Sequence, residues 1–335
     1  MKAIVYHSYG SPDVLKYEDV EKPTPRDDQV LIKVRAASVN LADYARLKGV
    51  PFLIRLVYPR ARADGILRPK DPRLGRDVAG DVEAVGRNIT HFKPGDAVFG
   101  WCSGAFAEYV CASESALVIK SDNVTFEQAA AVPVAALTAL QGLRDKGQIQ
   151  PGQKVLINGA SGGVGTFAVQ IAKAFGAEVT AVCSTRNLDT ARSIGADHVI
   201  DYTHEDFTRT GQRYDLILTV NGYHPLGAYR HALTPKGTYI MAGGSNARIA
   251  QAVLEVTLLG SLISKQGKQK MGFMGITKIN QQDLVFVKEL LETGKVVSII
   301  DRKYPLNETI AAFRYFEEGH ARGKVVITLS LTPKE

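Results

Sequence analysis

The chain has 335 residues, of which 45% are hydrophobic and 22% are charged, as in ordinary globular proteins. This length predicts two domains, each with a core of its own. The first ten residues hold too short an apolar run for a signal peptide, and no stretch of eighteen uninterrupted apolar residues follows. We therefore expect a soluble, untargeted protein with no transmembrane segment.

The three cysteines, Cys102, Cys111 and Cys183, are scattered singly. This spacing encodes neither a disulfide framework nor a structural zinc site, and it favours the reducing cytoplasm. The net charge is +7, but the seven basic and two acidic residues at positions 55–76 account for +5 of it. That segment is either a solvated loop or a surface for acidic ligands or peripheral membrane contact. No basic run is dense enough to predict a nucleic-acid partner.

The chain opens with short strands, KAIVY, VLKYED and QVLIKVRAASV, in which apolar and polar residues alternate. The glycine-rich stretch that follows is typical of a small, partly open barrel. Two strands near the end, VVSII and KVVITLS, are suited to return to this barrel. We predict a discontinuous β-rich domain formed by residues 1–122 and 271–335.

From about position 123 the pattern changes to an alanine-rich helix and then to a regular alternation of strands and helices. The predicted strands include KVLIN, EVTAV, HVID, DLILTV, GTYIM and SLISKQ. Repeated strand and helix units form a parallel sheet covered on both faces. Residues 123–270 are therefore predicted to form a doubly wound, Rossmann-type α/β domain.

The turn after KVLIN carries the strongest motif. Ala160, Gly162 and Gly165 fit the pattern G/A-x-G-x-x-G, which gives a tight turn, close approach of the backbone to a pyrophosphate, and close packing of helix on strand. The free amides and positive dipole end of the following helix favour phosphate. The predicted dinucleotide contacts here are Ala160, Ser161, Gly162, Gly163, Val164 and Gly165.

The residues after the second strand of this domain indicate which dinucleotide binds. NAD-dependent enzymes usually place an acid there to bind the ribose hydroxyls. Here the chain has Ser184, Thr185, Arg186 and Asn187, which suit the additional phosphate of NADP because hydroxyls and a guanidinium can bind it. We predict NADPH as the cofactor; the alternative is that Arg186 is an ordinary surface arginine opposite Asp189.

The order of the segments SVNLADYARLKG, LGRDVAGDVEAVG, FKPGDAVFG, AAAVPVAALTALQGL, the glycine motif and HARGKVVI resembles the medium-chain dehydrogenase/reductase superfamily over essentially the whole chain. Within it, the chain is similar to the zinc-independent quinone and enone reductases. The resemblance implies a GroES-like catalytic domain beside the Rossmann domain.

Zinc alcohol dehydrogenases of this superfamily carry a cysteine ligand in the segment that matches Ser38 to Asp43, and a histidine in the one that matches 75–77. This chain has Val39, Asn40 and Arg76 in these segments, none of which is a usual zinc ligand. We therefore expect no metal. Without a Lewis acid, reduction of an electron-poor acceptor is favoured over oxidation of an ordinary alcohol.

The resemblance implies transfer of hydride to an enone or a quinone, with negative charge developing on the carbonyl oxygen. That oxygen needs a donor. Asn40 and Tyr44 are the candidate catalytic residues, because the matching segment lines the cleft beneath the nicotinamide in relatives, and a tyrosine can pass a proton. In the alternatives, Asn40 braces its loop or contacts the cofactor ribose, and Tyr44 packs its helix.

Further residues are carried over by position. The additional cofactor contacts implied are Asn40, Thr138, Tyr202, Asn221, Gly222, Gly243, Arg322 and Lys324. A structural role at a strand edge is the alternative for Arg322 and Lys324. The implied substrate pocket has Phe52, Trp101, Met271, Phe273 and Met274. These apolar side chains suit an adaptable wall, and plain core packing is their alternative.

The leading hypothesis is an NADPH-dependent reductase of quinones or activated double bonds. Its rivals are a zinc-free NAD(P)-dependent alcohol or aldehyde oxidoreductase and a non-catalytic NADPH-binding protein. The predicted strand SLISKQ, with Leu262, would suit a homodimer through an unpaired sheet edge. The apolar stretch VPFLIRLVYPR before the basic segment suggests a lid or a membrane-contact patch.

Overall fold

A computed structural model describes residues 1–49, 68–243 and 268–329, together with residues 253, 255–257 and 260. The chain divides into two compact units: unit 1 comprises Met1–Val134, Ile279–Lys288 and Ile300–Glu335, and unit 2 comprises Ala135–Lys278 and Glu289–Ile299. Phe52, most of the basic segment and the predicted strand SLISKQ lie outside the described residues. The expected lid and dimer edge therefore stay predictions.

Unit 1 is built mainly from antiparallel strands, as the alternating sequence pattern predicts. A seven-stranded sheet has the order β14-β15-β3-β4-β5-β7, with β6 also paired to β3, and β1 pairs with β2 in a separate ribbon. The strands are β1 (Lys2–Tyr6), β2 (Leu15–Asp19), β3 (Gln29–Ser38), β4 (Asp77–Val85), β5 (Ala97–Trp101), β6 (Tyr109–Ser113), β7 (Leu117–Ile119), β14 (Ile300–Pro305) and β15 (Lys324–Thr328).

Short helices complete unit 1. Helix α1 (Leu41–Lys48) follows β3 directly, and the Asp43 carboxylate caps it by accepting a hydrogen bond from the Asn40 amide at 3.1 Å. Helices α2 (Phe126–Ala130) and α8 (Thr309–Glu317) pack against the sheet. The core below them contains Phe106 and Phe313, whose rings meet edge to face with centroids 5.7 Å apart.

Unit 2 contains a six-stranded sheet in the order β10-β9-β8-β11-β12-β13, with every pair parallel. When the strands are numbered within the unit, the order is 3-2-1-4-5-6, which is the Rossmann order. The order of the strands reverses between β8 and β11, and this place is the switch point of the sheet. The strands are β8 (Lys154–Asn158), β9 (Glu178–Cys183), β10 (His198–Asp201), β11 (Tyr214–Thr219), β12 (Leu233–Met241) and β13 (Lys270–Phe273). The predicted fold class is confirmed.

Helices α4 (Gly163–Ala174), α5 (Leu188–Ser193) and α6 (Leu226–Ala232) connect successive strands of this sheet. Helix α3 (Pro133–Leu140) precedes the sheet, and α7 (Gln281–Glu292) follows it. On α4 the side chains of Phe167, Ala168 and Ile171 are fully buried, as the helical spacing of its apolar residues predicts. Within the described residues, no helix is both long and apolar enough to cross a membrane.

The unit boundaries differ from the predicted ones at residues 122 and 270. Strand β13 pairs with β12 over Lys270–Phe273, so the chain as far as Lys278 belongs to the parallel sheet unit. The segment VVSII was also expected to be a strand, but β14 starts only at Ile300, and residues through Ile299 belong to unit 2. Hydrogen-bonded pairing of β13 with β12, which a local sequence pattern does not specify, explains the difference near residue 270.

Phe313→Ala should destabilise the chain by about 3–5 kcal/mol, because it leaves a cavity opposite the Phe106 ring in a core that excludes water. Phe313→Leu, which keeps most of the volume, should cost less than half as much. Urea unfolding followed by tryptophan fluorescence measures both changes. A loss below about 1 kcal/mol for the alanine variant would contradict this account of the core.

Candidate functional site

The glycine turn lies between β8 and α4. A Cβ atom added at Gly165 would lie 2.1 Å from the carbonyl oxygen of Gly159, so this position admits no side chain. At Gly162 the nearest atom to an added Cβ is 3.8 Å away, again the Gly159 oxygen. Gly162 is therefore open on the side that a ligand would approach, and residues 161–164 are only half-buried. This arrangement fits a dinucleotide pyrophosphate at the start of α4.

Sequence reasoning missed Gly159, which makes the turn possible. Its φ of +88° lies in the left-handed region, and an added Cβ would lie 2.8 Å from the backbone nitrogen of Asn221. The amides of Gly159 and Ala160 both donate to the Val182 carbonyl, at 3.2 and 3.0 Å. The sequence signal was present, because an Asn-Gly pair at the end of a strand indicates a turn.

The carboxyl ends of β8, β11 and β12 come together around this turn. The Asn221 amide donates to the Asn158 carbonyl at 3.3 Å, and the Asn221 side-chain oxygen accepts from the Gly222 amide at 2.8 Å. After β12, a Cβ atom at Gly243 would lie 2.5 Å from the Val220 oxygen. The structure thus places Asn221, Gly222 and Gly243 at the switch point of the sheet, where ligands of this fold bind.

The segment predicted to select the cofactor forms a short 3₁₀ turn after β9. Arg186 is exposed, and Tyr202, at the end of β10, is 63% exposed. The Tyr202 amide donates to the Cys183 carbonyl at 3.1 Å, which brings the two strand ends together. Asn187 is buried, and its side-chain nitrogen donates to the Ser184 hydroxyl at 3.0 Å. Asn187 therefore supports the loop from below, where the sequence predicted a cofactor contact.

An acid that the sequence analysis overlooked lies beside this loop. The Thr185 hydroxyl donates to the Asp201 carboxylate at 2.5 Å, and Thr203 donates to the same group from its hydroxyl at 2.7 Å. Partial burial acts to raise the pKa of Asp201, but these hydrogen bonds outweigh it and hold the pKa at about 2. Asp201 is thus ionised at neutral pH, and its charge opposes a phosphate bound at Thr185.

Other predicted contacts in unit 2 are engaged with neighbouring groups. The buried Thr138 hydroxyl lies 2.7 Å from that of Thr277. Met271 is 5% exposed and packs within the core of unit 2. Met274 is also buried, whereas Phe273 is 38% exposed. Of these three apolar residues, only Phe273 presents its side chain at the surface.

One cavity of unit 2 lies away from the glycine turn. It has a volume of about 580 Å³ and surrounds β10, with Arg192, His198 and Glu205 in its lining. Its lining contains none of the glycine-turn residues. Because the sheet order and the open approach at Gly162 both identify a different position, cavity size does not locate the cofactor site.

Unit 1 contains a buried polar cluster, formed by Ser38, Asn40, Asp43, Asp77 and Lys324. Asp77 is fully buried, and one of its carboxylate oxygens accepts from the Ser38 hydroxyl at 2.7 Å and the Asn40 side chain at 2.9 Å. Lys324 lies 3.4 Å from that oxygen, and the second oxygen accepts from the Val134 amide at 3.0 Å. The carboxylate is therefore satisfied on both oxygens.

Asn40 and Lys324 are bound to each other inside this cluster. The Lys324 ammonium is 3% exposed and donates to the Asn40 side-chain oxygen at 2.6 Å and to the Val39 carbonyl at 3.3 Å. Burial lowers the pKa of Lys324. The Asn40 amide nitrogen donates to Asp77 and, at 3.3 Å, to the Ser38 carbonyl. The geometry favours the alternative in which Asn40 braces its loop and Lys324 has a structural role.

Tyr44 and Arg322 lie outside the cluster. The Tyr44 hydroxyl donates to Glu317 at 2.6 Å, and Lys48 pairs with the same carboxylate at 2.7 Å. Partial burial and the Glu317 hydrogen bond raise the pKa of Tyr44, so its hydroxyl keeps its proton at neutral pH. Arg322 is exposed, and its backbone amide donates to the Asp301 carboxylate at 2.9 Å.

Arg76 directly precedes β4. From the sequence it was counted in the basic segment and recognised as a residue that is not a usual zinc ligand. Its guanidinium lies over the half-buried Trp101 ring, 5.6 Å from the centroid. Its Nε is buried and has no hydrogen-bond partner among the described residues. A buried donor without a partner lowers the stability of the folded state by about 1–3 kcal/mol. Arg76 differs in this respect from the side chains of the buried polar cluster, whose polar groups are hydrogen-bonded.

Two family descriptions match the chain: an alcohol dehydrogenase GroES-like domain over residues 26–122 and a zinc-binding dehydrogenase over residues 194–327. A chloroplast envelope quinone oxidoreductase homologue of Arabidopsis thaliana is 35% identical over 98% of this chain and 98% of its own. The chain belongs to the medium-chain dehydrogenase/reductase superfamily. This membership confirms the resemblance seen in the sequence.

Two further similarities identify the branch of the medium-chain superfamily to which the chain belongs. The chloroplastic NADPH-dependent alkenal/one oxidoreductase of Arabidopsis thaliana is 34% identical over 98% of this chain and 79% of its own. The structure of the quinone oxidoreductase from Coxiella burnetii superposes with a TM-score of 0.82 at 31% identity, covering 98% of this chain and 99% of its own. The chain thus lies in the quinone oxidoreductase-like branch, and it is an oxidoreductase at the level of the family.

One of the two family descriptions names zinc, so we searched for side chains that could bind a metal ion. Across residues 1–49, 68–243 and 268–329, no group of three or more histidine, cysteine, aspartate or glutamate side chains is arranged to hold a metal ion. The carboxylates of the buried polar cluster are bound to Lys324, Asn40 and Ser38 instead.

Gly162→Ala and Gly165→Ala should separate cofactor binding from folding. Gly162→Ala has 3.8 Å of clearance and should leave the free energy of unfolding within about 0.5 kcal/mol, yet weaken NADPH at least tenfold by blocking the pyrophosphate. Gly165→Ala meets backbone at 2.1 Å and should destabilise by about 1–3 kcal/mol. Urea unfolding and NADPH fluorescence titration measure these effects; unchanged NADPH affinity in Gly162→Ala would contradict the site.

Asp43→Asn should change how stability depends on pH. Burial raises the pKa of Asp43 to about 6, although the nearby Arg76 charge opposes this rise. Between about pH 4 and pH 6 the folded state therefore holds a proton that the unfolded chain has already released. As the pH rises through this range, the free energy of unfolding of the wild type should fall by up to about 3 kcal/mol relative to that of Asp43→Asn. Urea unfolding from pH 4.5 to 7.5 tests this, with the exposed Asp28→Asn as control. Parallel profiles for wild type and Asp43→Asn would refute it.

Proposed function

We propose that the chain is an NADPH-dependent oxidoreductase that reduces quinones or the activated C=C bond of α,β-unsaturated carbonyls by hydride transfer without zinc. The glycine turn at the switch point of the parallel sheet carries this proposal, because it is sterically intact and open at Gly162. Similarity to quinone oxidoreductases and to an alkenal/one oxidoreductase supports the acceptor class.

When bound, NADPH supplies a hydride from C4 of its nicotinamide ring. The free amides at the start of α4 bind the pyrophosphate, and Gly162 allows its backbone to come close. The exposed Arg186 binds the 2′-phosphate, with Thr185 and Tyr202 next to it. Arg186 must then outweigh the charge of Asp201, so the preference for NADPH is a balance of opposite charges.

We propose Tyr44 as the group that holds a proton for the second half of the reaction. Its hydroxyl carries a proton at neutral pH, as an ordinary phenol does, and its hydrogen bond to Glu317 fixes the position of the oxygen. Asn40 does not suit the role of donor to the acceptor, because its amide group is bound inside the buried polar cluster. Its proposed role is to hold the start of α1 against Asp77.

The proposal is tested by following NADPH and NADH absorbance with purified protein, with and without chelator. The acceptors are a short-chain enone, a quinone, an aldehyde and a simple ketone. We expect oxidation of NADPH that resists the chelator with the enone or quinone alone. Reaction with the aldehyde alone would identify the zinc-free alcohol or aldehyde oxidoreductase instead. Tight NADPH binding without turnover of any acceptor would indicate a binding protein.

Arg186→Ala should raise the KM for NADPH about tenfold or more and change the KM for NADH little, since a charge-assisted hydrogen bond is worth about 1.5–3 kcal/mol. Asp201→Asn should act in the opposite direction and strengthen the preference for NADPH, because it removes a negative charge beside Thr185. Steady-state kinetics with both cofactors measure the two variants. Equal losses with NADPH and NADH in Arg186→Ala would assign Arg186 a structural role.

A further inference from the structure

Arg76 is fixed in place by its backbone. Gly75 has a φ of +99°, and a Cβ atom there would lie 2.7 Å from the Phe106 backbone nitrogen, so the chain can turn only with glycine at this point. The Arg76 carbonyl accepts from the Cys102 amide at 2.8 Å, and β4 begins at the next residue. The side chain therefore starts from a rigid position.

The carboxylates next to Arg76 in the sequence and in the buried polar cluster are hydrogen-bonded to other groups. Asp77 accepts hydrogen bonds from Ser38, Asn40 and the Val134 amide, and it lies beside the Lys324 ammonium. Asp43 caps α1 through the Asn40 amide. Neither carboxylate forms an ion pair with Arg76 among the described residues, so these neighbours do not occupy the donors of the guanidinium.

The Trp101 ring defines one side of the guanidinium. At 5.6 Å the cation lies within reach of the ring face, an interaction that restricts its rotation. Because Nε is buried, the two terminal amino groups are the part of the side chain that can reach a ligand. A planar, oriented pair of donors next to an aromatic ring suits an oxygen on a flat conjugated molecule.

We propose that the terminal amino groups of Arg76 donate hydrogen bonds to the carbonyl oxygen of the acceptor and stabilise the negative charge that develops there, with Trp101 holding the guanidinium in position. This proposal rests on the proposed function. It makes Arg76 a catalytic residue that replaces Asn40 as the donor to the acceptor. The segment that carries a histidine ligand in the zinc alcohol dehydrogenases would thus carry a fixed organic cation in this chain.

The reaction balances with this assignment. A hydride forms the new C–H bond at the β-carbon of the enone, and its electron pair displaces the C=C pair towards the carbonyl carbon. The carbonyl pair moves onto the oxygen that Arg76 binds, and NADPH becomes NADP⁺. Water or Tyr44 then supplies a proton to the α-carbon, and the carbonyl forms again. Arg76 exchanges no proton, because its guanidinium stays charged throughout.

Three substitutions separate catalysis from packing. Arg76→Met keeps the volume without charge, Arg76→Lys keeps the charge without the planar pair of donors, and Arg76→Ala leaves room for added guanidinium ion. We expect Arg76→Met to lower kcat/KM for the enone about 100- to 1,000-fold, as for other single oxyanion donors, with the NADPH Kd changed less than about twofold. Guanidinium ion should restore activity to Arg76→Ala at least tenfold. Arg87→Met, at an exposed arginine paired with Asp27, is the matched control.

A binding assay tests the assignment without turnover. 4-Nitrophenolate is a conjugated oxyanion whose absorbance shifts on hydrogen bonding, and we expect its Kd for the NADP⁺-loaded protein to rise at least tenfold in Arg76→Met but not in Arg87→Met. Equal phenolate affinity in wild type and Arg76→Met, or full enone activity in Arg76→Met, would overturn the role of Arg76. Phenolate binding that depends on Arg76, in a wild-type protein that reduces no acceptor, would refute the proposed function alone.

Discussion

A single buried carboxylate organises unit 1. Asp77 has no exposed surface, and a charge in that position persists only if hydrogen bonds and an opposite charge replace its water. The groups that do so come from the end of β3, the start of α1, the start of α3 and the start of β15. Segments far apart in the chain are thus held together at one point. Arg76, the next residue towards the N-terminus, inherits its fixed position from this arrangement.

In unit 2, close backbone packing at glycines holds the strand ends together, as the buried charge of Asp77 does in unit 1. The contacts between Gly165 and the Gly159 oxygen, and between Gly159 and Asn221, leave no room for side chains where β8, α4 and β11 meet. Such requirements act over a few residues, and they are visible in a sequence as glycines at fixed spacing. For this reason the cofactor turn, the strand and helix alternation and the fold class were all predictable.

The features that sequence reasoning missed depend on distant partners. Asp201 influences the cofactor loop only because β10 lies beside β9, and Lys324 reaches Asn40 across 284 positions of the chain. Methionine is a residue type that often lines pockets, but the strand of Met271 pairs with β12 and its side chain packs in the core of unit 2. A pattern of residue types identifies what a side chain can bind, and the tertiary structure determines what it does bind.

The place of Lys324 in the chain has a consequence for biosynthesis. The first 134 residues emerge from the ribosome with Asp77 and Asn40, but the ammonium that neutralises and braces them follows 190 residues later, after all of unit 2. Until then the seven-stranded sheet lacks β14, β15 and its only basic partner for Asp77 among the described residues. All six strands of the parallel sheet precede β14 and β15 in the chain, so this sheet can be completed before the antiparallel sheet of unit 1.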